Sequence, residues 1–401
     1  MHPSGEPLSR RVAALAQATE HLDPPFGVVD LDAFDRNADD LARRTGGVPI
    51  RVASKSVRSR PLIERVLARP EYAGILAFTL PEALWLAQDH EDVLLGYPTA
   101  DRAALRALAA DERAAARVSV MVDSTEHLDL IEAVVGGDGP PIRIALDLDA
   151  SLRLLGGAVH LGMRRSPVHS PADIRALARE VVRRPRLRLV GVMSYEGQIA
   201  GMGNEVGVRP RRWAVKAFQR LSAEELRLRR ARAIAAVREV SDLAFVNGGG
   251  TGSLELTSRE DVITDVAAGS GLFGPTLFDH YSHFAPEPAL LFALSVVRRP
   301  GPDHATVLGG GWIASGPPGQ DRLPTPVWPQ GLSLVGTEGA GEVQTPLVGD
   351  AVCDLRVGDR VWFRHAKSGE SCEHLETLHL VRGGELAGEA PTYRGEGRTF
   401  L

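Results

Sequence analysis

Of the 46 basic residues in this 401-residue chain only three are lysine, at positions 55, 216 and 367; the other 43 are arginine. Arginine replaces lysine wherever a solvated positive charge suffices, but its guanidinium stays protonated and cannot condense with a carbonyl. A drift toward arginine therefore spares mainly lysines engaged in amine chemistry, which singles out Lys55 and Lys367. Lys216 sits in a helical run, RRWAVKAFQRL, and reads as a chance survivor. A second signal is a pair of glycine-rich turns, Asn247-Gly248-Gly249-Gly250-Thr251-Gly252-Ser253 and Ala268-Gly269-Ser270-Gly271. Glycines let backbone N–H groups approach an anion closely, and Thr251, Ser253 and Ser270 add hydroxyl donors. A plain turn is the alternative. The first turn is not a Walker A motif, which needs Gly-Lys-Ser/Thr together, and no G-x-G-x-x-G opens the first strand–helix unit. The chemistry these residues suggest is a phosphate held opposite a reactive amine.

Something must bring residues two hundred positions apart together. From about residue 45 to 275, short β-branched apolar runs alternate with amphipathic helical stretches, the signature of strand–helix units and a parallel sheet. Eight runs can be counted, of which IRVASKS (50–56) is the first, LAFVNGG (243–249) the seventh and DVITDVAAGS (261–270) the eighth. Eight such units predict an α/β protein built on a (β/α)8 TIM barrel, with a doubly wound open sheet as the alternative. In such barrels active sites lie at the C-terminal ends of the strands, and phosphates are commonly held after strands seven and eight. Lys55 ends the first run and the glycine turns follow the seventh and eighth. Upstream, FGVVDLDAFDRNADDLARR reads as a strand entering a helix. From about Glu287 the pattern changes to alternating strands with turn signals, such as Val357-Gly358-Asp359. The expected domains are an N-terminal extension over 1–25, a barrel over 26–284 and a C-terminal all-β domain over 285–401. The charged helix Arg209–Arg238 reads as a long solvated face.

Composition narrows the partners. The length suits roughly two domains, since one core seldom grows past about 250 to 300 residues. Acidic residues outnumber basic ones 51 to 46, a net charge of −5, so nucleic acid and anionic membrane surfaces are not expected and small soluble ligands are. The longest apolar stretch, Ala289–Leu294, is far too short to span a bilayer, and no signal-peptide h-region opens the chain; a cytoplasmic protein is expected. Two cysteines, Cys353 and Cys372, cannot build a disulfide framework and point to packing or metal ligation.

Several segments carry a resemblance. FGVVDLDAFDRNADDL resembles the lead-in of fold-type III pyridoxal-phosphate enzymes, the alanine racemase N-terminal-domain superfamily. IRVASKSVRSRPLIERVL resembles their lysine segment in the variant of D-threonine aldolases and D-serine dehydratases, the amino acid deaminase/aldolase group. DVLLGYPT, VSVMVDSTEHLDLI and LVGVMSYEGQIAG resemble later strands of that group. The resemblance implies pyridoxal 5'-phosphate bonded through a Lys55 Schiff base, Arg58 beside it as a cofactor or structural contact, and Tyr195 against the cofactor. Gly249, Gly250, Thr251, Gly269 and Ser270 would then cradle the phosphate. From the residues alone, Tyr195 reads equally as a buried barrel aromatic.

The same group holds a divalent metal, zinc or manganese, through a His-x-Cys or His-x-Asp pair in its second domain, where the metal meets the substrate's β-hydroxyl. Here His365 matches but the partner position is Lys367, whose ammonium offers no lone pair. Either Cys372 folds back as the second ligand, or Lys367 supplies the positive charge in place of the metal. The implied activity is a lyase for D-β-hydroxy amino acids, by retro-aldol cleavage or by dehydration and deamination, with Lys55, Tyr195 and His365 as catalytic groups. An amino acid racemase, a non-catalytic pyridoxal-phosphate carrier and a sugar-phosphate barrel enzyme are the alternatives. The resemblance also implies a homodimer; the polar segment Thr392–Gly397 reads as one that reaches an active site across the dimer interface, with a surface turn as the alternative.

Overall fold

A computed structural model describes residues 7–317 and 319–401. The strands, in chain order, are β1 (Phe26–Asp30), β2 (Ile50–Ala53), β3 (Tyr72–Ala77), β4 (Val93–Leu95), β5 (Val118–Val122), β6 (Ile142–Asp147), β7 (Leu152–Leu154), β8 (Val159–Leu161), β9 (Leu187–Ser194), β10 (Phe245–Gly248) and β11 (Asp265–Ala268). The later strands are β12 (Leu290–Gly301), β13 (His304–Leu308), β14 (Thr325–Trp328), β15 (Ser333–Leu334), β16 (Gln344–Val348), β17 (Arg360–Arg364), β18 (Thr377–Arg382) and β19 (Glu385–Pro391). Contacts divide the described residues into two compact units: one of residues 7–40, 56–65, 269–317 and 319–399, the other of residues 41–55, 66–268 and 400–401.

The second unit holds the barrel. Among the described residues, β2, β3, β4, β5, β6, β9, β10 and β11 close into a ring of parallel strands, sealed by Val266 of β11 pairing with Ile50 of β2. These are the eight runs read from the sequence. They read as continuous apolar runs because a parallel sheet wrapped in helices is buried on both faces. Its interior packs Leu94, Met121, Ala145, Val190, Met193 and Phe245. Helix starts are set locally. The Thr79 and Ser124 side chains accept the N–H groups of Glu82 and His127, and Ser170 forms a reciprocal capping box with Asp173. Between β6 and its helix the chain inserts an antiparallel hairpin, β7 with β8.

The helix Arg209–Arg238 departs from expectation. It carries the solvated arginines predicted for it, but Arg229 and Arg230 are buried. The Arg229 guanidinium donates to the backbone oxygens of Asp149 and Ser151, so the helix anchors the start of the inserted hairpin.

The other unit is built on a nine-stranded sheet of β1 and β12–β19. β1 runs antiparallel to β12 and parallel to β18, so the opening strand is a central member of the late all-β sheet. Its core gathers Val12, Leu15, Phe26, Val28, Leu291, Ala293, Trp362 and Val381. Among the described residues no helix is long and apolar enough to cross a membrane.

Candidate active site

Lys55 lies in the single helical turn Ser54–Ser56 that caps β2, and its side chain is exposed there rather than buried in the barrel. Its Nζ donates to the Tyr97 hydroxyl at 3.1 Å and lies 5.7 Å from the centre of that ring. Tyr97 stands just past the end of β4. The Arg165 guanidinium, carried on the segment after the hairpin, lies 5.4 Å over Tyr97 and 5.0 Å over the ring of Tyr195. Tyr195 follows β9 directly, and its ring backs the first glycine turn: a Cβ on Gly250 would stand 2.9 Å from Tyr195 Cε2. Lys55, Tyr97, Arg165, Tyr195 and the glycine turn thus form one run of contacts across the strand ends of the barrel.

The electrostatics separate the two phenols. Burial raises the Tyr97 pKa, but the Lys55 ammonium and the Arg165 guanidinium outweigh it and bring the group below its ordinary value. Tyr195 is pushed up to about 12 by burial, with Arg165 opposing only in part. Asp147, the last residue of β6, is pushed up to about 7 by burial; Arg165 opposes the shift, and Asp123 and Asp149 add to it. The Ser166 hydroxyl donates to the Asp147 carbonyl at 2.7 Å, which ties the segment bearing Arg165 to this strand end. Asp149 is held below the usual carboxylate range although burial opposes this, because His169, Ser151 and Arg153 hydrogen-bond to it.

The glycine turn is fixed from two sides. Gly249 adopts φ +79°, which favours glycine. Its N–H donates to Glu196 at 3.2 Å, and the Gly250 N–H donates to Ser253 Oγ at 3.1 Å. On the other side, Arg44 donates to the Thr251 carbonyl at 2.6 Å and pairs with Glu255.

The remaining predicted residues belong to the sheet-bearing unit. Arg58, at φ +49°, pairs with Glu373, and its carbonyl accepts the Tyr393 N–H at 2.8 Å, so the structure gives it a structural contact. Gly269 precedes the short helix Ser270–Phe273, and the Ser270 carbonyl accepts the Ser368 hydroxyl at 2.8 Å. The polar segment after β19 packs inward, with Tyr393 buried and Glu396 paired to Arg60. His365 is fixed by its backbone carbonyl, which accepts the Thr276 N–H at 3.1 Å. Its Nδ1 donates to the Lys367 carbonyl at 2.7 Å, leaving a buried Nε2. Burial lowers its pKa to about 4, against the pull of that hydrogen bond. The Cys372 thiol donates to the Val57 carbonyl at 3.4 Å, and burial pushes its pKa up to about 12. Lys367 Nζ donates to the Ser315 carbonyl at 2.7 Å. Among the described residues no three His, Cys, Asp or Glu side chains converge as a metal site. Of the expected pair, His365 Nδ1 and the Cys372 thiol each donate to a backbone carbonyl, and His365 Nε2 keeps its lone pair.

Residues 29–275 match the family of the alanine racemase N-terminal domain, over half of the chain. The chain belongs to that family. Among its relatives are a D-threonine aldolase of Arthrobacter sp., 25% identical over 76% of this chain and 73% of that one, and a 3-hydroxy-D-aspartate aldolase of Paracoccus denitrificans, 23% identical over 67% and 65%. In fold it is similar to D-threonine aldolase from Filomicrobium marinum, with TM-score 0.77 and 22% identity, covering 94% of this chain and 96% of that one. It is also similar to D-threo-3-hydroxyaspartate dehydratase from Delftia sp. HT23, with TM-score 0.72 and 22% identity over 92% and 97%.

The alanine racemase family implies pyridoxal phosphate, and the barrel's residues fit it. An exposed amine stands beside a phenol of lowered pKa, and the glycine turn is a cradle in which a Cβ at Gly250 would collide with Tyr195. Sequence reasoning gave no role to Tyr97, Arg165 or Asp147. Tyr97 was findable, since it stands at the end of the third apolar run, DVLLGYP, where barrel sites lie. Arg165 carried no such signal, because it sits in an insertion among many arginines.

Proposed function

We propose that the protein is a pyridoxal-phosphate-dependent lyase acting on D-configured β-hydroxy amino acids. The observation that carries this reading is the run of contacts from Lys55 through Tyr97 and Arg165 to Tyr195 and the glycine turn. The substrate class is supported by the aldolases among the relatives. Lys55 would bond the cofactor's aldehyde carbon, and the turn from Gly249 to Ser253 would hold its phosphate. When bound, the cofactor supplies an electron sink for negative charge developing at the substrate's α-carbon.

The chain's own residues then handle protons and orientation. The Tyr97 hydroxyl, 3.1 Å from Lys55 Nζ, can take the ammonium proton as phenolate and leave the amine neutral, the form that attacks a carbonyl. Arg165 stabilises that phenolate and presents its remaining N–H groups to a carboxylate. Tyr195 keeps its proton at neutral pH, since its pKa lies near 12, and therefore acts as a donor and a wall rather than a base. This argues against a racemase that would use Tyr195 as its second base. Asp147, with its pKa near 7, can both accept and return a proton near neutrality, as the proton of a β-hydroxyl requires.

The experiment is reduction and product analysis. Borohydride should bleach a visible absorbance band and leave a pyridoxyl mass increment on the Lys55 peptide. If Cα–Cβ breaks, D-threonine should yield glycine and acetaldehyde, and 3-hydroxy-D-aspartate glycine and glyoxylate; if the hydroxyl leaves, each should yield ammonia with a 2-oxo acid. Lys55→Ala should lower kcat/KM by about 10³-fold or more, or about 4 kcal/mol. A colourless protein with no increment at Lys55 would overturn the reading.

A further inference from the structure

Glu196 lies beside the proposed cofactor site but takes no part in the reaction described above. It follows Tyr195, is 1% exposed, and its carboxylate gathers four donors. Oε2 accepts the Gly249 N–H at 3.2 Å and Arg230 Nη2 at 2.9 Å; Oε1 accepts the Ser253 hydroxyl at 2.9 Å and the Thr257 hydroxyl. Arg230, wholly buried, also donates to the Ser194 carbonyl at 3.1 Å and pairs with Glu260 at 2.6 Å. A carboxylate this deeply buried is costly unless every lone pair is matched, so its partners are held tightly in turn. The donors it takes up come from the turn itself and from the short helix leaving it. The Ser253 hydroxyl it binds also accepts the Gly250 N–H.

We propose that Glu196 is the positioning residue of the anion-binding turn. Its carboxylate occupies the inner donors, Gly249 N–H and the Ser253 and Thr257 hydroxyls, and so fixes the turn in the shape that receives a phosphate on the Thr251–Gly252 side. The Arg230 guanidinium is its counter-charge. The inference rests on the cofactor reading above and deepens it, since it assigns the inner part of the expected cradle to an internal carboxylate rather than to the ligand.

The role predicts an effect confined to the phosphate. Purified protein stripped of cofactor is titrated with pyridoxal 5'-phosphate and, separately, with pyridoxal, which lacks the phosphate; adduct formation is followed by absorbance and by borohydride-trapped mass at Lys55. Glu196→Ala should weaken pyridoxal phosphate by about 10- to 100-fold, the size expected when charge-assisted hydrogen bonds are lost. Pyridoxal affinity should stay within about twofold, and Glu196→Gln, which keeps an acceptor for Gly249, should recover much of the loss. Thr257→Ala, which removes one donor to Glu196 from outside the turn while leaving the Glu196–Arg230 pair, should give a smaller phosphate-selective loss; it decides the matter if Glu196→Ala does not fold. Unchanged pyridoxal phosphate affinity, or equal weakening of both aldehydes, overturns the proposal while the wild-type adduct leaves the cofactor reading intact. Wild-type protein that traps neither aldehyde at Lys55 overturns the cofactor reading and this inference with it.

Discussion

Asp147 shows how one side chain's surroundings set a measurable property of the protein. The ordinary aspartate pKa is 3.8, and burial at the end of β6 moves it to about 7. Across that interval the folded protein holds a proton that the unfolded chain has already released, so this group's contribution to stability falls as pH rises. Asp147→Asn abolishes the titration. Thermal unfolding of wild type and variant, compared from about pH 5 to about pH 8, should show the variant gaining on wild type through that window. A constant difference would mean that Asp147 titrates at its ordinary value. The sequence placed an acidic residue at this strand end but not the neighbours, Arg165 and Asp123, that tune it. Asp123 comes from the preceding strand–helix unit and Arg165 from beyond the inserted hairpin, and their distances to Asp147 exist only once the chain has folded.

At the scale of elements, the barrel strands were legible because a buried parallel strand writes itself as an unbroken apolar run. What such runs leave unwritten is the fit between neighbours. Gly191 of β9 pairs with Phe245 of β10, and a Cβ on Gly191 would stand 2.3 Å from Phe245 Cζ. Gly191→Ala should therefore cost about 1–3 kcal/mol in denaturant unfolding by overpacking. Phe245→Leu in the same chain should recover part of that loss, because it removes the colliding ring edge; equal losses with and without it would reject the steric account. The helix Arg209–Arg238 gives the complementary lesson. Its charge pattern shows a solvated face, and nothing in it distinguishes Arg229 and Arg230, the two that turn inward to hold backbone oxygens and buried carboxylates.

At the scale of the whole chain, segments far apart in sequence share one charged junction. Arg11 of the first helix donates to Asp30 at 2.6 Å and to Glu287 at 3.0 Å, and Glu287 also pairs with Arg36 at 2.8 Å. Removing the central guanidinium leaves two buried carboxylates short of a partner, so Arg11→Ala should destabilise the sheet-bearing unit by about 3–5 kcal/mol, read by hydrogen exchange in β1 and β12. Arg11→Lys should recover only part, since one ammonium cannot serve the acceptors the guanidinium fork reaches. Protection unchanged in Arg11→Ala would refute this. The sequence by itself determined the periodic elements, a lysine at the end of the first barrel strand and glycine turns after the seventh and eighth, because those signals are local. Only the tertiary structure decided that β1 belongs to the late sheet, that His365 Nδ1 and the Cys372 thiol donate to backbone carbonyls, and that Tyr97, Arg165 and Glu196 surround the lysine and its turn. Each of those outcomes depends on pairings between segments tens to hundreds of residues apart, and such pairings leave no periodic trace in the chain.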